Sequence, residues 1–390
     1  MSDGDTGERH RLLAIDGDGR RIYLSIRILR RLEDELRRKS RDPTMTLGRW
    51  FDYVGGTNTG GLVAALVALG LSTREIEQRL TLAEPELFRR RGPLGWVLAN
   101  GIGALLRPRQ RASTSRKDRL ERILRSWFTT HDGQALTLGD VAGEQNCHLL
   151  LSLYNLSTDS PWPLSTNPAA VFNADPVGSN LSLELWAVAR ATMAAPGGFD
   201  PVRLPIIART ATAHDFADGS VAGTSNVVLQ LLLMAVLDSY ELRWNSGPDK
   251  LLVVSVGSGV AERLPRRSSG DRRPGPAHYA RRDQTAAMMR HRSVGDDMLC
   301  RAIGQVRWAA PQIDLELAGV DHETAVGGGN LFSYVRYNDS LTDKALRRLN
   351  VGHAYGDDVR RRYRPGSIGE LRDIGDAIAS QVDASHLDGF

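Results

Sequence analysis

The chain has 390 residues, of which 41% are hydrophobic and 25% charged. This ordinary globular balance supports one large α/β domain or two smaller ones with a substantial core. Its two cysteines, Cys147 and Cys300, exclude a disulfide framework and carry no metal spacing. The formal charge is +4 and the isoelectric point near 9.2, and the excess arginine is unevenly placed. Eleven basic residues face two acids between Arg89 and Arg125, and seven arginines face two acids between Glu262 and Arg282.

Such basic stretches, 89–125 and 262–282, suit a peripheral membrane surface or an acidic partner, or else they are a solvated surface. No nucleic-acid motif or interleaved aromatics accompany them, so no nucleic acid is expected. The histidines show no zinc spacing, and neither a metal nor a cofactor is expected. The N-terminus is polar, without an apolar signal region. The longest apolar runs are too short for a bilayer. A reducing cytoplasm is the expected location, with the protein either soluble or peripheral at a membrane.

Residues 1–10 read as a disordered tail. Arg11–Ile15 reads as a short central strand running into Asp16-Gly17-Asp18-Gly19-Arg20-Arg21, followed by Leu24, Ile28, Leu29, Leu32 and Leu36 at helical spacing. A glycine loop between strand and helix turns backbone N–H groups toward an anion.

Phe51–Gly56 reads as a second buried strand, and Gly56-Thr57-Asn58-Thr59-Gly60-Gly61 as a sharp turn into an apolar helix reaching about Leu69. This is the pattern of a nucleophile elbow, with Asn58 where a G-x-S-x-G serine would stand. Residues 72–130 read as a basic helical insertion, either a lid or cap or a plain helical layer. A strand is expected over 148–156 and a helix over 181–195. Asp215–Ser220 reads as a strand end with a tight turn, 226–242 as an apolar helix and 251–256 as a buried strand. An exposed loop over 261–277, a helix near 286–303, a strand over 332–337 and a C-terminal helix complete the chain. The alternation implies a mostly parallel sheet covered on both faces.

Six stretches, in register over about residues 11–345, resemble the patatin-like phospholipase family. They are Asp16–Arg21 against D-G-G-G-x-R-G, Gly56–Gly61 against G-T-S-T-G-G, and Ala189–Pro196 against A-x-A-[ST]-x-A-A-P. Phe216–Ser220 stands against F-x-D-G-G, Val253–Gly259 against V-S-[LI]-G-T-G, and Phe332–Asn338 is similar to the tail of bacterial members. The resemblance implies a three-layer α/β/α fold with nucleophile-elbow topology over 11–345, with 346–390 as a helical extension.

It further implies a lipid acyl hydrolase with a Ser–Asp dyad and an oxyanion-binding glycine loop. Asp218 matches the aspartate, but Asn58 stands at the serine and an amide is no nucleophile. Asp18 replaces a loop glycine, where a carboxylate repels an oxyanion unless protonated or turned away. Ile22, Gly197-Gly198, Ser220 and Thr224-Ser225-Asn226 also depart from the family pattern.

The expected site residues are therefore Asp218, Asp18 and Asn58, with Gly17, Gly19, Arg20, Thr57, Thr59, Gly60 and Gly219 lining the loop. One reading is a repurposed pocket in which Asp18 and Asp218 divide acid and base roles while Asn58 orients an acyl or apolar small molecule. A second is a pseudoenzyme that binds acyl lipid or regulates a partner. A third keeps residual ester hydrolysis by a water activated at Asp218. Beside these, Asn58 can simply fill the elbow, Asp218 can cap its turn and Asp18 can cap a helix.

Overall fold

A computed structural model describes residues 8–88, 111–144, 147–175, 178–195, 198–205, 212–260, 284–310, 330–351 and 367–390. The basic stretch 262–282 and the part of 89–125 up to residue 110 lie outside the described residues, as do residues 1–7 of the expected tail.

Among the described residues nine strands form one mixed sheet: β1 (His10–Ile15), β2 (Tyr53–Gly56), β3 (His148–Asn155), β4 (Ser160–Ser165), β5 (Val202–Pro205), β6 (Ala213–Asp218), β7 (Gly247–Val256), β8 (Gln305–Ala309) and β9 (Phe332–Tyr337). Their order is β5-β6-β3-β2-β1-β7-β9-β8, with β4 on the other edge of β3. From β3 to β8 every pairing is parallel, whereas β4, β5 and β6 run antiparallel to their neighbours.

Strand periodicity sorts the core into two faces. Leu13, Ile15, Val54, Leu252 and Val254 pack with the first helix (Ile22–Ser40), the elbow helix (Asn58–Ala68) and the helix Leu185–Thr192. Leu12, Ala14, Tyr53, Leu251 and Val253 pack on the opposite face against the helix Val228–Val236. Residues alternating along single strands thus fill both cores, which is the three-layer α/β/α architecture expected of strands apolar on both sides.

Several boundaries differ from the sequence reading, each for a local reason. β1 starts at His10, whose ring stacks on Trp244 with centroids 4.0 Å apart. The helix expected over 181–195 is confined to Leu185–Thr192. Leu183 and Glu184 are held extended before it, the carbonyl of Leu183 accepting from the Leu138 N–H at 3.0 Å. The helix expected over 226–242 runs only from Val228 to Val236, because the chain folds back and the Trp244 N–H caps the Ala235 carbonyl at 2.9 Å. β4 was not legible, since it holds Pro161 and Pro163; prolines are tolerated there because β4 is an edge strand.

Residues 72–130 supply the helices Thr73–Leu82, Glu84–Phe88 and Arg111–Trp127 among the described residues. The C-terminal helix Ile368–Ala379, opened by a Ser367/Glu370 capping box, lies along the first helix. Arg27 donates to both oxygens of Asp376 at 2.6 and 3.0 Å, and Arg372 pairs with Glu77 at 2.7 Å. Among the described residues no helix is long and apolar enough to cross a membrane.

Candidate functional site

The site is assembled on one edge of β3. Gly56, the last residue of β2, sits opposite Leu151, and Asp218, the last residue of antiparallel β6, sits opposite Leu153. β4 occupies the other edge along Leu150–Asn155. β2 and β6 therefore approach each other head to head along a single strand, two residues apart in its register. That collision delivers the elbow to Asp218.

At the elbow Thr57 is extended (φ −134°, ψ 156°), and Asn58 takes φ 52°, the left-handed region. Asparagine tolerates that region better than most side chains, so it holds the elbow geometry at modest cost. Its backbone N–H donates to Thr192 Oγ1 at 3.0 Å, and that hydroxyl donates to the Ser152 carbonyl at 2.9 Å.

The Asn58 carboxamide is engaged at both ends. Nδ2 donates to Asp218 Oδ2 at 2.6 Å, while Oδ1 accepts from the Thr59 backbone N–H at 2.6 Å. In an elbow hydrolase the N–H of the residue after the nucleophile belongs to the oxyanion hole. The amide thus sits across both Asp218, which matches the family's dyad aspartate, and the corresponding N–H.

Asp218 is fully buried. Its Oδ1 accepts from Thr57 Oγ1 at 3.2 Å, from the Ser220 N–H at 3.0 Å and from Ser220 Oγ at 2.9 Å. Burial pushes its carboxyl above the ordinary aspartate range, and the donors from Asn58, Ser220 and Thr57 pull it back. With four donors the carboxylate is well satisfied without a cation.

The glycine loop lies directly on the elbow. A β-carbon on Gly17 would stand 2.0 Å from the Thr57 carbonyl oxygen and 2.9 Å from Asn58 Cβ, and one on Gly60 would stand 2.4 Å from the Ile15 carbonyl. We expect Gly17→Ala to lose at least about 3 kcal/mol, the upper end for overpacking, since backbone rather than a flexible side chain is struck. Urea unfolding of the purified variant measures it; an unchanged midpoint would show that the loop yields.

Gly19 has φ +54°, and its carbonyl accepts from Thr59 Oγ1 at 3.2 Å. Gly219 follows Asp218 in a 3-10 turn against Ser152. Arg20 is drawn away to Glu84 at 2.7 Å, in the helix preceding residue 89.

Asp18 stands apart as well. It is exposed and ion-paired with Arg21, while Asn58, Thr57 and Asp218 are buried together. The described contacts join Asn58 to Asp218 and do not join Asp18 to either.

A second buried cluster, not singled out from the sequence, underlies the loop. Arg336 of β9 donates from Nη1 to Asp16 Oδ1 at 3.1 Å and from Nη2 to Oδ2 at 2.6 Å, and Nη1 also reaches Ser255 Oγ at 2.5 Å. Both charged side chains are buried, and the bidentate contact with Asp16 holds Arg336 firmly protonated. A lone charge in an otherwise uncharged strand, Phe332–Tyr337, was the available signal, because a buried guanidinium demands a buried acid.

An elbow on a mostly parallel sheet, an aspartate delivered by an antiparallel strand and a glycine loop against the elbow define a hydrolase-type α/β scaffold. The patatin-like phospholipase family profile matches residues 13–232, more than half of the chain, and the chain belongs to that family. It is 27% identical over 266 residues to "Probable inactive patatin-like protein 9" of Arabidopsis thaliana, covering 66% of this chain and 63% of that one. It is 31% identical over 193 residues to a "cGAMP-activated phospholipase" of Escherichia coli, covering 50% and 48%. The chain therefore spans less than two thirds of the length of either relative. Among solved structures, VipD from Legionella pneumophila aligns with a TM-score of 0.38 and 13% identity, covering 96% of this chain and 66% of its own.

Proposed function

We propose that this chain is a non-hydrolytic patatin-like protein that uses its inherited pocket to bind an acyl or similarly apolar ligand, or to regulate a partner. The observation that carries this reading is the Asn58 carboxamide bonded at once to Asp218 and to the Thr59 N–H. A nucleophile is missing, and the residue in its place holds both the base and an oxyanion donor. The name of the Arabidopsis relative, "Probable inactive", agrees with it, whereas that of the Escherichia coli relative names a phospholipase.

Division of acid and base roles between Asp18 and Asp218 gains no support, because Asp18 is exposed and paired with Arg21. Water activated at Asp218 is disfavoured as well: three donors crowd Oδ1, and Asn58 stands on Oδ2.

The test is hydrolysis of short- and long-chain p-nitrophenyl esters and of phosphatidylcholine, with Asp218→Ala as control. Wild type is expected to equal the blank. Wild-type turnover that disappears in Asp218→Ala overturns the proposal. Saturable binding of a fluorescent long-chain fatty acid by the inactive protein then separates ligand binding from a purely partner-directed role.

A further inference from the structure

The helix Gln284–Ile303 touches both loops of the site through adjacent residues. The aliphatic stem of Arg292 lies over the turn after Asp218, where a β-carbon on Gly223 would stand 3.5 Å from Arg292 Cγ. Ser293 Oγ donates to Asp16 Oδ2 at 3.3 Å, at the head of the glycine loop. One helical turn later, Asp296 holds Arg292 at Nε with a 3.1 Å ion pair. The Asp296 side chain is buried, whereas Arg292 is largely exposed. Further along, Asp297 accepts from Arg301 at 3.1 and 3.0 Å and from the Tyr334 hydroxyl at 2.9 Å, anchoring the helix to β9.

We propose that this helix is a proton-sensitive clamp, in which ionised Asp296 keeps Arg292 across the 219–223 turn and protonation of Asp296 releases that turn while the Ser293–Asp16 contact and the Asp297 anchor stay. The inference concerns access to the site and stands whether or not the pocket performs chemistry.

The groups facing Asp296 set the direction. Arg292 on its own helix and Arg336 from β9 favour the carboxylate; burial and Asp16 from the glycine loop oppose it, and Asp297 and Cys300 flank it on its own helix. The balance pushes Asp296 up to about 6, so it carries charge at neutral pH and loses it in mild acid.

Because its folded value lies above the ordinary aspartate range, this group's contribution to global stability is full below about pH 4 and is lost as pH rises through about 6. Acid thus releases the turn locally while this same group strengthens the fold globally. General acid unfolding moves both in one direction.

Hydrogen exchange of the full chain, read at about pH 5 and about pH 7.5 and corrected for intrinsic rates, tests the clamp. Peptides spanning 219–226 are expected to exchange about fivefold faster in acid, the loss of one partly buried ion pair, with β1 and β7 peptides unchanged. Asp296→Asn should exchange fast at both pH values, and Arg292→Ala should match it. The proposal is overturned if wild-type 219–226 exchanges alike at both, or if Asp296→Asn keeps the full pH response.

Discussion

Asn58→Ser is expected to show Asp218-dependent ester hydrolysis at least about a hundredfold above wild type, the lower range for a positioned general base. The replacement removes the amide from Asp218 Oδ2 and from the Thr59 N–H and puts a hydroxyl at the elbow. That hydroxyl attacks the ester carbonyl as its proton passes to Asp218. The alcohol leaves with that proton, and water then cleaves the acyl group from the serine oxygen. Thr57 and Ser220 already hold Asp218 in place. Asp18, the carboxylate in place of a loop glycine, is paired with Arg21 and exposed.

Ester turnover by Asn58→Ser, abolished in Asn58→Ser/Asp218→Ala, is the measurement. A folded but silent Asn58→Ser would mean that the glycine loop has lost its oxyanion donors as well, giving the silence two causes. Either result leaves the wild-type test independent, because that test concerns Asn58 as it stands.

Arg336→Met is expected to destabilise the fold by about 3–5 kcal/mol, the usual cost of stranding one buried charge. It leaves Asp16 without the guanidinium that holds both its oxygens, in a site that already pushes its carboxyl up by burial. The double variant Asp16→Asn/Arg336→Met should recover most of the loss, since no charge is then stranded. Urea unfolding of the three proteins reads the coupling. Additive single losses would show that the pair is merely adjacent. Arg336→Met should also regain stability as pH falls: its unpaired Asp16 stays raised, so that group's stability is full in acid and lost as pH rises through its folded value.

Much of the scaffold was legible because its signals are local. Leu12 to Ile15 and Leu251 to Val254 are apolar at every position, which only a strand buried on both faces requires. The glycines of 56–61 mark a tight turn, where a β-carbon on Gly56 or Gly60 would strike backbone at 2.4 Å. Asn58 and Asp218 were found because each stands at a fixed offset from such glycines. Their mutual hydrogen bond was not legible, because it depends on the register of β6 against β3, and the strands are separated by some sixty residues of sequence. Asp18 misled for the complementary reason. Its position in the loop is local, but its direction is decided by Arg21, three residues on, which the glycine pattern does not weigh. The Asp16–Arg336 pair joins residues at opposite ends of the chain, so it offered only a charge in an otherwise uncharged strand as a hint.

The head-to-head meeting of β2 and β6 on β3 makes that strand a ruler. The distance between elbow and aspartate is counted in β3 residues, from Leu151 to Leu153, and not in the length of chain that separates them. Outside Leu185–Ala194, whose Thr192 hydroxyl and Ala194 carbonyl accept from the Asn58 and Asp218 N–H groups, the excursion from the end of β3 to the start of β6 can lengthen, shorten or change composition without moving either group. Selection can therefore remodel those stretches while the elbow and the aspartate keep their spacing, and a relative with a very different excursion should carry the same pair.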